Sequence, residues 1–202
     1  LLVFGVVHAF FIWSGDILIV YAVFGLLLIP VIQMKVSPKT LAIVALLMYT
    51  IPGIFLIFLY HFLYRSGLVT WADLFDPIRA GEVVSIYREG SFLEIISLRL
   101  SEWAYVNISG LVLIFLMVYP LLLLGVSCAK GGILLPGKKQ RRFFRKILFV
   151  SFPAGFLAKL ALYGNPDNFA LELLQDWFGG PLLTAAYIAI VYLLVSKRRK
   201  FL

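Results

Sequence analysis

Long apolar runs separated by short polar stretches make up most of the chain. From these runs we predict six membrane segments, over residues 1–13, 17–34, 41–64, 103–127, 147–163 and 181–196. None of the runs alternates strictly between apolar and polar residues, as a barrel strand does. Because a bilayer offers no water to unpaired backbone groups, each segment is predicted to be an α-helix. The pattern therefore predicts an all-α, multi-pass transmembrane helix bundle that forms one domain over residues 1–202.

The connection over residues 65–102 is the longest stretch between these segments. Within it, Ser91 and Glu94 match a capping box, in which the serine oxygen accepts from the third helical N–H and the glutamate reaches back. Apolar residues recur at near-helical spacing after Ser91. We therefore predict an amphipathic helix over residues 91–100 at the membrane surface, either as an interfacial connector or as a lid over an outward-facing site. Asp76 and Pro77 predict a turn before it.

The composition agrees with a membrane location. Hydrophobic residue types make up 62% of the chain and charged types 14%, and the mean hydropathy is +1.01, whereas a soluble domain is about 25% charged. The single cysteine, Cys128, excludes a disulfide within this chain. The first apolar run is shorter than a full span and no initiator methionine precedes it, so we expect a fragment whose first helix begins upstream.

The charged residues sort by side when the connections are numbered alternately. All ten acidic residues and four arginines fall in residues 14–16, 65–102 and 164–180. The other connections and the C-terminal tail hold no acidic residue and thirteen basic ones: Lys35, Lys39, Lys130, Lys138, Lys139, Arg141, Arg142, Arg145, Lys146, Lys197, Arg198, Arg199 and Lys200. By the positive-inside rule we expect the basic side and both chain ends to be cytoplasmic, in a bacterial inner membrane. The net charge of +8 thus predicts orientation in a lipid bilayer, not nucleic-acid binding.

Two ionisable side chains lie in or beside the first two membrane segments. His8 lies inside an apolar run, where an ionisable group is costly and is a candidate for function. An imidazole can take or give a proton near neutral pH, although a neutral His8 bonded to a neighbouring helix is the alternative without function. Asp16 can cap the second helix or belong to a site, and Tyr21 is placed to line the same cavity.

Two further groups of residues are candidates for binding. His61 and Arg65, near the end of the third segment, could hold an anionic group, although aromatic and basic residues are also common at a membrane interface. The densest basic run predicts contact with anionic lipid headgroups, with Phe143 and Phe144 dipping into the interface. This run comprises Lys138, Lys139, Arg141, Arg142, Arg145 and Lys146. The chain has no P-loop, serine-hydrolase elbow or metalloprotease motif, and we predict no metal site.

The first 25 residues carry an apolar run with Gly-x-x-His, then Gly-Asp-Ile-Leu, then Tyr-Ala-x-x-Gly. These motifs are formed by Gly5, His8, Gly15, Asp16, Ile17, Leu18, Tyr21, Ala22 and Gly25. The pattern resembles the signature of the YeiB-like family of uncharacterised bacterial membrane proteins. Residues 87–100, with Arg99, and the turn at residues 131–132 are similar to later parts of that family. Its C-terminal Gly-Arg-Met-x-Leu-Thr-Asn-Tyr motif is absent here, so a site that needs this motif would be incomplete.

That family is distantly similar to membrane acyltransferases with a helix-bundle core and an intramembrane histidine. The resemblance implies an enzyme that moves an acyl group from a cytosolic acyl thioester to an external acceptor. It implies that His8 is the base, that Asp16 and Tyr21 orient groups, and that Arg99 or Arg65 contacts the acceptor. The alternatives are a transporter whose pathway is lined by His8 and Asp16, and a non-catalytic membrane scaffold.

Overall fold

The computed structural model describes residues 1–68, 77–164 and 168–198, without the side chains of residues 77, 78, 197 and 198. Within these residues it contains helices and no strand, which confirms the predicted all-α class. In chain order the helices are α1 (Leu2–Val7), α2 (Leu18–Gln33), α3 (Pro38–Arg65), α4 (Pro77–Glu89), α5 (Phe92–Ala104), α6 (Leu111–Lys130), α7 (Lys138–Gly164), α8 (Phe169–Leu174) and α9 (Gly180–Arg198). Single π-helical turns follow α1 (His8–Ile12), α5 (Tyr105–Ser109) and α8 (Gln175–Gly179).

Four helices in the described residues are long and apolar enough to cross a bilayer. They are α3, α6, α7 and the continuous helix Phe169–Ser196, which joins α8, its π turn and α9. The stretch Leu2–Ile12 and helix α2 are apolar but shorter. The protein is therefore a multi-pass membrane protein with four helices of spanning length, and the count of six segments stays a prediction.

The last apolar helix begins earlier than predicted. The side-chain oxygen of Asn168 accepts from the N–H of Leu171, and the helix starts at Phe169 instead of residue 181. The acidic residues Glu172 and Asp176 therefore belong to this helix and not to an external loop.

The basic connection is also shorter than predicted. Helix α7 begins at Lys138, so the basic run is helical and only residues 131–137 join α6 to α7. Helix α6 ends where Gly132 takes a φ of 59°, the left-handed conformation that favours glycine. At the other end, α6 begins at Leu111 and not near residue 103, because Gly110 (φ −87°, ψ 5°) leaves the helical conformation.

The capping box predicted at the start of α5 is present. Glu94 N–H donates to Ser91 Oγ at 3.4 Å, and Ser91 N–H donates to Glu94 Oε2 at 2.6 Å. These bonds satisfy backbone donors that the first turn of a helix leaves unpaired. The structure adds α4, which the sequence did not predict, and the proposed turn at Asp76–Pro77 begins outside the described residues.

The chain forms two compact units, and the single transmembrane domain stays a prediction. The first comprises Leu1–Ser37 and Thr70–Leu124. The second comprises Pro38–Val69 and Gly125–Leu202. In the first unit α1 approaches α2 closely, since a Cβ at Gly5 would lie 2.7 Å from Ile19 N. In the second unit α7 approaches α9 in the same way, since a Cβ at Gly155 would lie 3.0 Å from Leu183 N.

Hydrogen bonds hold the predicted connections within each unit. In the first unit, Ser14 donates a hydrogen bond to Glu102, so the break at residues 14–16 meets the predicted external connection. In the second unit, Ser127 Oγ donates to Pro38 O, and Tyr192 OH donates to Leu135 O. Two acidic connections are thus in contact in the first unit, and in the second unit the basic connections contact α6 and α9.

Candidate functional site

His8 and Asp16 form a hydrogen-bonded pair in the first unit. His8 Nδ1 lies 2.9 Å from Asp16 Oδ1. The Asp16 side chain is 1% exposed and the His8 side chain 34% exposed, so the carboxylate is covered and the imidazole is open on one side. With Asp16 as the acceptor, Nδ1 carries the hydrogen and the Nε2 lone pair is free. In this tautomer, Nε2 is the ring nitrogen that could accept a proton.

The backbone around the pair explains how His8 reaches Asp16. Residues His8–Ile12 form a π-helical turn, which Trp13 N–H closes on His8 O at 2.8 Å. Trp13 then becomes extended (φ −157°, ψ 127°) and ends the helix, so the chain turns back towards α2. A Cβ at Gly15 would overlap the Trp13 ring, and glycine therefore lets this ring cover the turn. Such π turns are frequent at functional sites.

Asp16 also holds the start of α2, as the sequence predicted. Its Oδ2 accepts from Ile19 N–H at 3.0 Å, which satisfies a donor in the first turn of the helix. The helix begins at Leu18, so Asp16 makes this bond from one position before the N-cap residue Ile17. One carboxylate oxygen of Asp16 therefore caps α2 while the other contacts His8.

Three polar residues that were not predicted as site residues connect this turn to α4 and α5 by hydrogen bonds. Ser14 Oγ donates to Glu102 Oε2 at 2.7 Å, and Tyr87 OH donates to the same oxygen at 3.3 Å. Glu102 lies three positions after Arg99, so its place on the same side of α5 was available from helical spacing. Ser14 and Tyr87 carry no comparable signal, because their contacts are 88 and 15 residues away in sequence.

Arg99, which was predicted to bind substrate, lies against the same π turn. Its Nη1 donates to Phe11 O at 2.7 Å, a carbonyl that the end of the helix leaves without an internal donor. Its guanidinium carbon lies 5.6 Å from the centroid of the Tyr87 ring. Within the described residues, the buried Arg99 Nε and the buried Trp103 Nε1 have no hydrogen-bond partner. Two donors on adjacent turns of α5 are therefore left for an acceptor.

The other predicted substrate-binding residues lie on α2 and α3. Tyr21 lies on α2 and is 38% exposed, and the described residues give it no hydrogen bond to His8 or Asp16. His61 and Arg65 lie near the end of α3, in the second unit, and both are exposed. No set of three His, Cys, Asp or Glu side chains that could hold a metal ion occurs in the part of the chain that the structure describes.

The predicted basic surface lies on the first three turns of α7. Lys138, Lys139, Arg142, Arg145 and Lys146 are exposed, and Arg141 is half-buried. The prediction for Phe144 was wrong. This side chain is 4% exposed and stacks on Tyr192 at 4.2 Å between ring centroids, whereas Phe143 is 44% exposed. Phe144 is buried because it shares a face of α7 with Ser151 and Gly155, seven and eleven positions later.

Comparison with known proteins gives a partial family match and one related protein. Residues 128–202 match the family described as "Protein of unknown function (DUF418)". The uncharacterized protein YxaH of Bacillus subtilis (strain 168) is 28% identical over 211 residues, which cover 98% of this chain and 49% of that protein. The chain thus spans about half the length of the curated relative it matches. No solved structure matches the chain at a significant level. The comparisons therefore show a likeness to one uncharacterised protein over nearly the whole chain and to DUF418 over its C-terminal part.

Proposed function

We propose that the protein is a membrane-embedded acyltransferase in which His8 is the general base and Asp16 orients it. The observation that carries the proposal is the 2.9 Å hydrogen bond from His8 Nδ1 to a buried carboxylate. A carboxylate that accepts from Nδ1–H fixes the tautomer of the imidazole and leaves Nε2 available as a base. The resemblance of the first 25 residues to the YeiB-like family, and through it to membrane acyltransferases, favours acyl transfer as the reaction.

In this reaction, His8 Nε2 takes the proton of an acceptor hydroxyl or amine while the acceptor attacks the carbonyl carbon of an acyl thioester. The carbon–sulfur bond then breaks, and the departing sulfur takes the proton back from His8. The products are an acylated acceptor and a free thiol, without any change of oxidation state. Asp16 stabilises the imidazolium that exists between the two proton transfers.

The unpartnered donors on α5 support a substrate that carries acceptor oxygens. Arg99 contacts Phe11 O, and the Trp103 ring packs edge-on against Phe10, with 6.1 Å between centroids. Both partners belong to the π turn that begins at His8. Because buried donors without partners are costly, a carbonyl or phosphate oxygen bound here would supply what Arg99 Nε and Trp103 Nε1 lack.

The full-length protein in proteoliposomes provides the test, with consumption of an acyl thioester as the readout. His8→Gln is expected to lower kcat by about a hundredfold or more, since general-base catalysis contributes about 10²–10⁴-fold. His61→Gln is the matched control, because it removes the other histidine of this chain; a binding role for His61 would raise KM and leave kcat unchanged. Unchanged turnover in His8→Gln would overturn the proposal.

Proton-coupled transport is a second candidate that the same pair of residues favours. Histidine and carboxylate side chains within membrane segments also form proton relays. Proteoliposomes with an imposed pH gradient distinguish the two functions. Proton flux that depends on His8, without consumption of an acyl thioester, would identify transport.

We further propose that the basic connections face the cytoplasm of a bacterial inner membrane. The thirteen basic residues on one side and the contact between Ser127 and Pro38 support this orientation. In a Cys128→Ser background, Lys146→Cys should be protected from an impermeant maleimide in intact cells, and Ser66→Cys should be labelled. If Lys146→Cys were labelled and Ser66→Cys were protected, the basic connections would face the outside of the cell.

A further inference from the structure

An apolar groove runs along α9 in the second unit. Leu134 and Pro136, in the connection between α6 and α7, line one wall, and side chains from Thr184 to Ser196 on α9 line the other. Its volume is about 480 Å³, which falls in the range of about 300–1,000 Å³ typical of ligand sites. We propose that this groove binds one acyl chain of an anionic phospholipid, whose phosphate is held by the basic residues at the start of α7. The inference is independent of the acyl-transfer proposal.

The chemistry of the groove walls favours a hydrocarbon chain as the occupant. The hydroxyls of Thr184, Tyr192 and Ser196 each donate to a backbone carbonyl, namely those of Gly180, Leu135 and Leu193. The hydrogens of these three hydroxyls are therefore already donated, so they offer a polar solute only their acceptor oxygens, and most of the groove lining is apolar. The large side chains that remain, such as Ile188 and Val191, are about half exposed or more and offer apolar contacts.

The length of the groove matches one leaflet of a bilayer. Residues 184–196 cover twelve helical steps, which is about 18 Å along the axis of α9. The hydrocarbon region of a bilayer is about 30 Å thick, so one leaflet is about 15 Å deep. An acyl chain that lies along α9 would therefore fill the groove from the headgroup level to the bilayer centre.

The charges at one end of the groove favour an anionic headgroup. Pro136 in the groove wall precedes Lys138 by two residues, a distance of at most about 7 Å along the chain. The first turn of α7 carries Lys138 and Lys139 and no acidic residue, although the N-terminal end of a helix is itself partly positive. Within the described residues, the buried Nε of Arg141 also lacks a hydrogen-bond partner. A lipid phosphate here would stabilise the helix end and accept from these cations.

Native mass spectrometry of the delipidated full-length protein tests the proposal. The probes are dioleoyl-phosphatidylglycerol and dioleoyl-phosphatidylcholine, which differ in headgroup charge and share their acyl chains. We expect one tightly retained phosphatidylglycerol, bound at least about fivefold more tightly than phosphatidylcholine, since one cation near an anionic lipid surface is worth about that factor. Equal retention of the two lipids would overturn the proposal.

Two matched pairs of variants distinguish the contribution of the groove to lipid binding from that of the cations. Val191→Trp fills the groove and should lower the retention of both lipids, whereas Leu194→Trp, on an exposed part of α9 outside the groove, should not. Lys138→Gln combined with Lys139→Gln should remove the preference for phosphatidylglycerol, whereas Lys159→Gln further along α7 should keep it. If Val191→Trp instead abolishes a dimer and leaves lipid retention unchanged, a helix of a second copy occupies the groove and the lipid proposal is wrong.

Discussion

Tyr49 and Trp177 join α3 to the last membrane helix by two reciprocal hydrogen bonds. The Tyr49 hydroxyl donates to the Trp177 carbonyl oxygen, and Trp177 Nε1 donates to the Tyr49 carbonyl oxygen at 2.9 Å. Both side chains are buried, with 6% and 1% exposure, and their ring centroids lie 5.8 Å apart. Because each residue supplies one donor and one acceptor, the pair fixes the register of the two helices. A shift of either helix would break both bonds.

Removal of either donor from this pair should destabilise the protein without changing its shape. We expect Tyr49→Phe to lower the free energy of unfolding by about 1 kcal/mol, and Trp177→Phe to lower it by more, because the smaller ring also leaves a cavity where the indole is buried. The double variant should lose less than the sum of the two, because the bonds depend on one register. Unfolding by SDS titration in mixed micelles measures these energies, and Tyr163→Phe, at an 86% exposed tyrosine, is the control. Strictly additive losses would contradict a coupled pair.

Gly53 allows Trp177 to approach α3. A Cβ at this position would overlap the pyrrole part of the indole, whereas a Cβ at Gly25 on α2 would meet no atom within 4 Å. Gly53→Ala should therefore destabilise the protein by about 1–3 kcal/mol, and Gly25→Ala should be neutral or slightly stabilising because alanine favours a helix. The same SDS titration compares the two variants. If Gly53→Ala left the free energy of unfolding unchanged, the indole of Trp177 could move aside without loss of stability.

The sequence predicted that the apolar runs are helices, but it predicted neither where each of them begins nor the register between them. Continuous apolar runs predict helices because lipid offers no alternative backbone partner, and this physical constraint is independent of side-chain detail. Trp177, however, was placed in an external loop, because the acidic residues Glu172 and Asp176 near it dominated the charge pattern. Its partner Tyr49 is 128 residues away, and no local pattern links the two positions.

Phe143 and Phe144 provide a matched test of burial at the basic end of α7. Phe144→Ala should lower the free energy of unfolding by about 2 kcal/mol or more, because the buried ring leaves a cavity against Tyr192. Phe143→Ala should change stability little, since that ring is 44% exposed and its surroundings can close around the gap. Thermal unfolding in detergent measures both effects. Equal losses in the two variants would mean that Phe144 is not part of the core.

Only part of the candidate site could be predicted from the sequence. His8 and Asp16 were identifiable because ionisable residues beside or within apolar runs are rare and costly, and their spacing of eight residues lets one turn bring them together. Tyr87 and Ser14 lie in polar segments, where such residues are ordinary and give no signal, and for Glu102 helical spacing indicates only that it shares a side of α5 with Arg99. Their role emerges only from the folded contacts, in which one carboxylate oxygen accepts from both hydroxyls.

The capping box of α5 should weaken at low pH. The Ser91 hydroxyl, and then the Ser91 N–H, hold the pKa of Glu94 below its ordinary value of 4.5. A carboxylate with a lowered folded-state pKa contributes fully above pH 4.5, and its contribution is lost as the pH falls through the lowered value. Hydrogen exchange of the first amides of α5 measures cap opening. It should accelerate in Ser91→Ala relative to Ser97→Ala, and the difference between them should shrink as the pH falls below 4.5. A difference that stays constant would exclude Glu94 from the cap.

Asp16→Asn should impair the base function proposed for His8 while it preserves the fold. The asparagine Oδ1 can still accept from Ile19 N–H and cap α2, but its amide group now donates to His8 Nδ1. The imidazole hydrogen then moves to Nε2, which can no longer take a proton from an acceptor, so turnover should fall by about a hundredfold or more. The ¹⁵N chemical shifts of the His8 ring, assigned with His8→Gln, report this change of tautomer directly. Glu102→Gln is the control, because its side-chain oxygen can still accept from Ser14 or Tyr87 and it does not contact His8. If Asp16→Asn keeps the hydrogen on Nδ1 and retains turnover, the carboxylate serves only to cap α2.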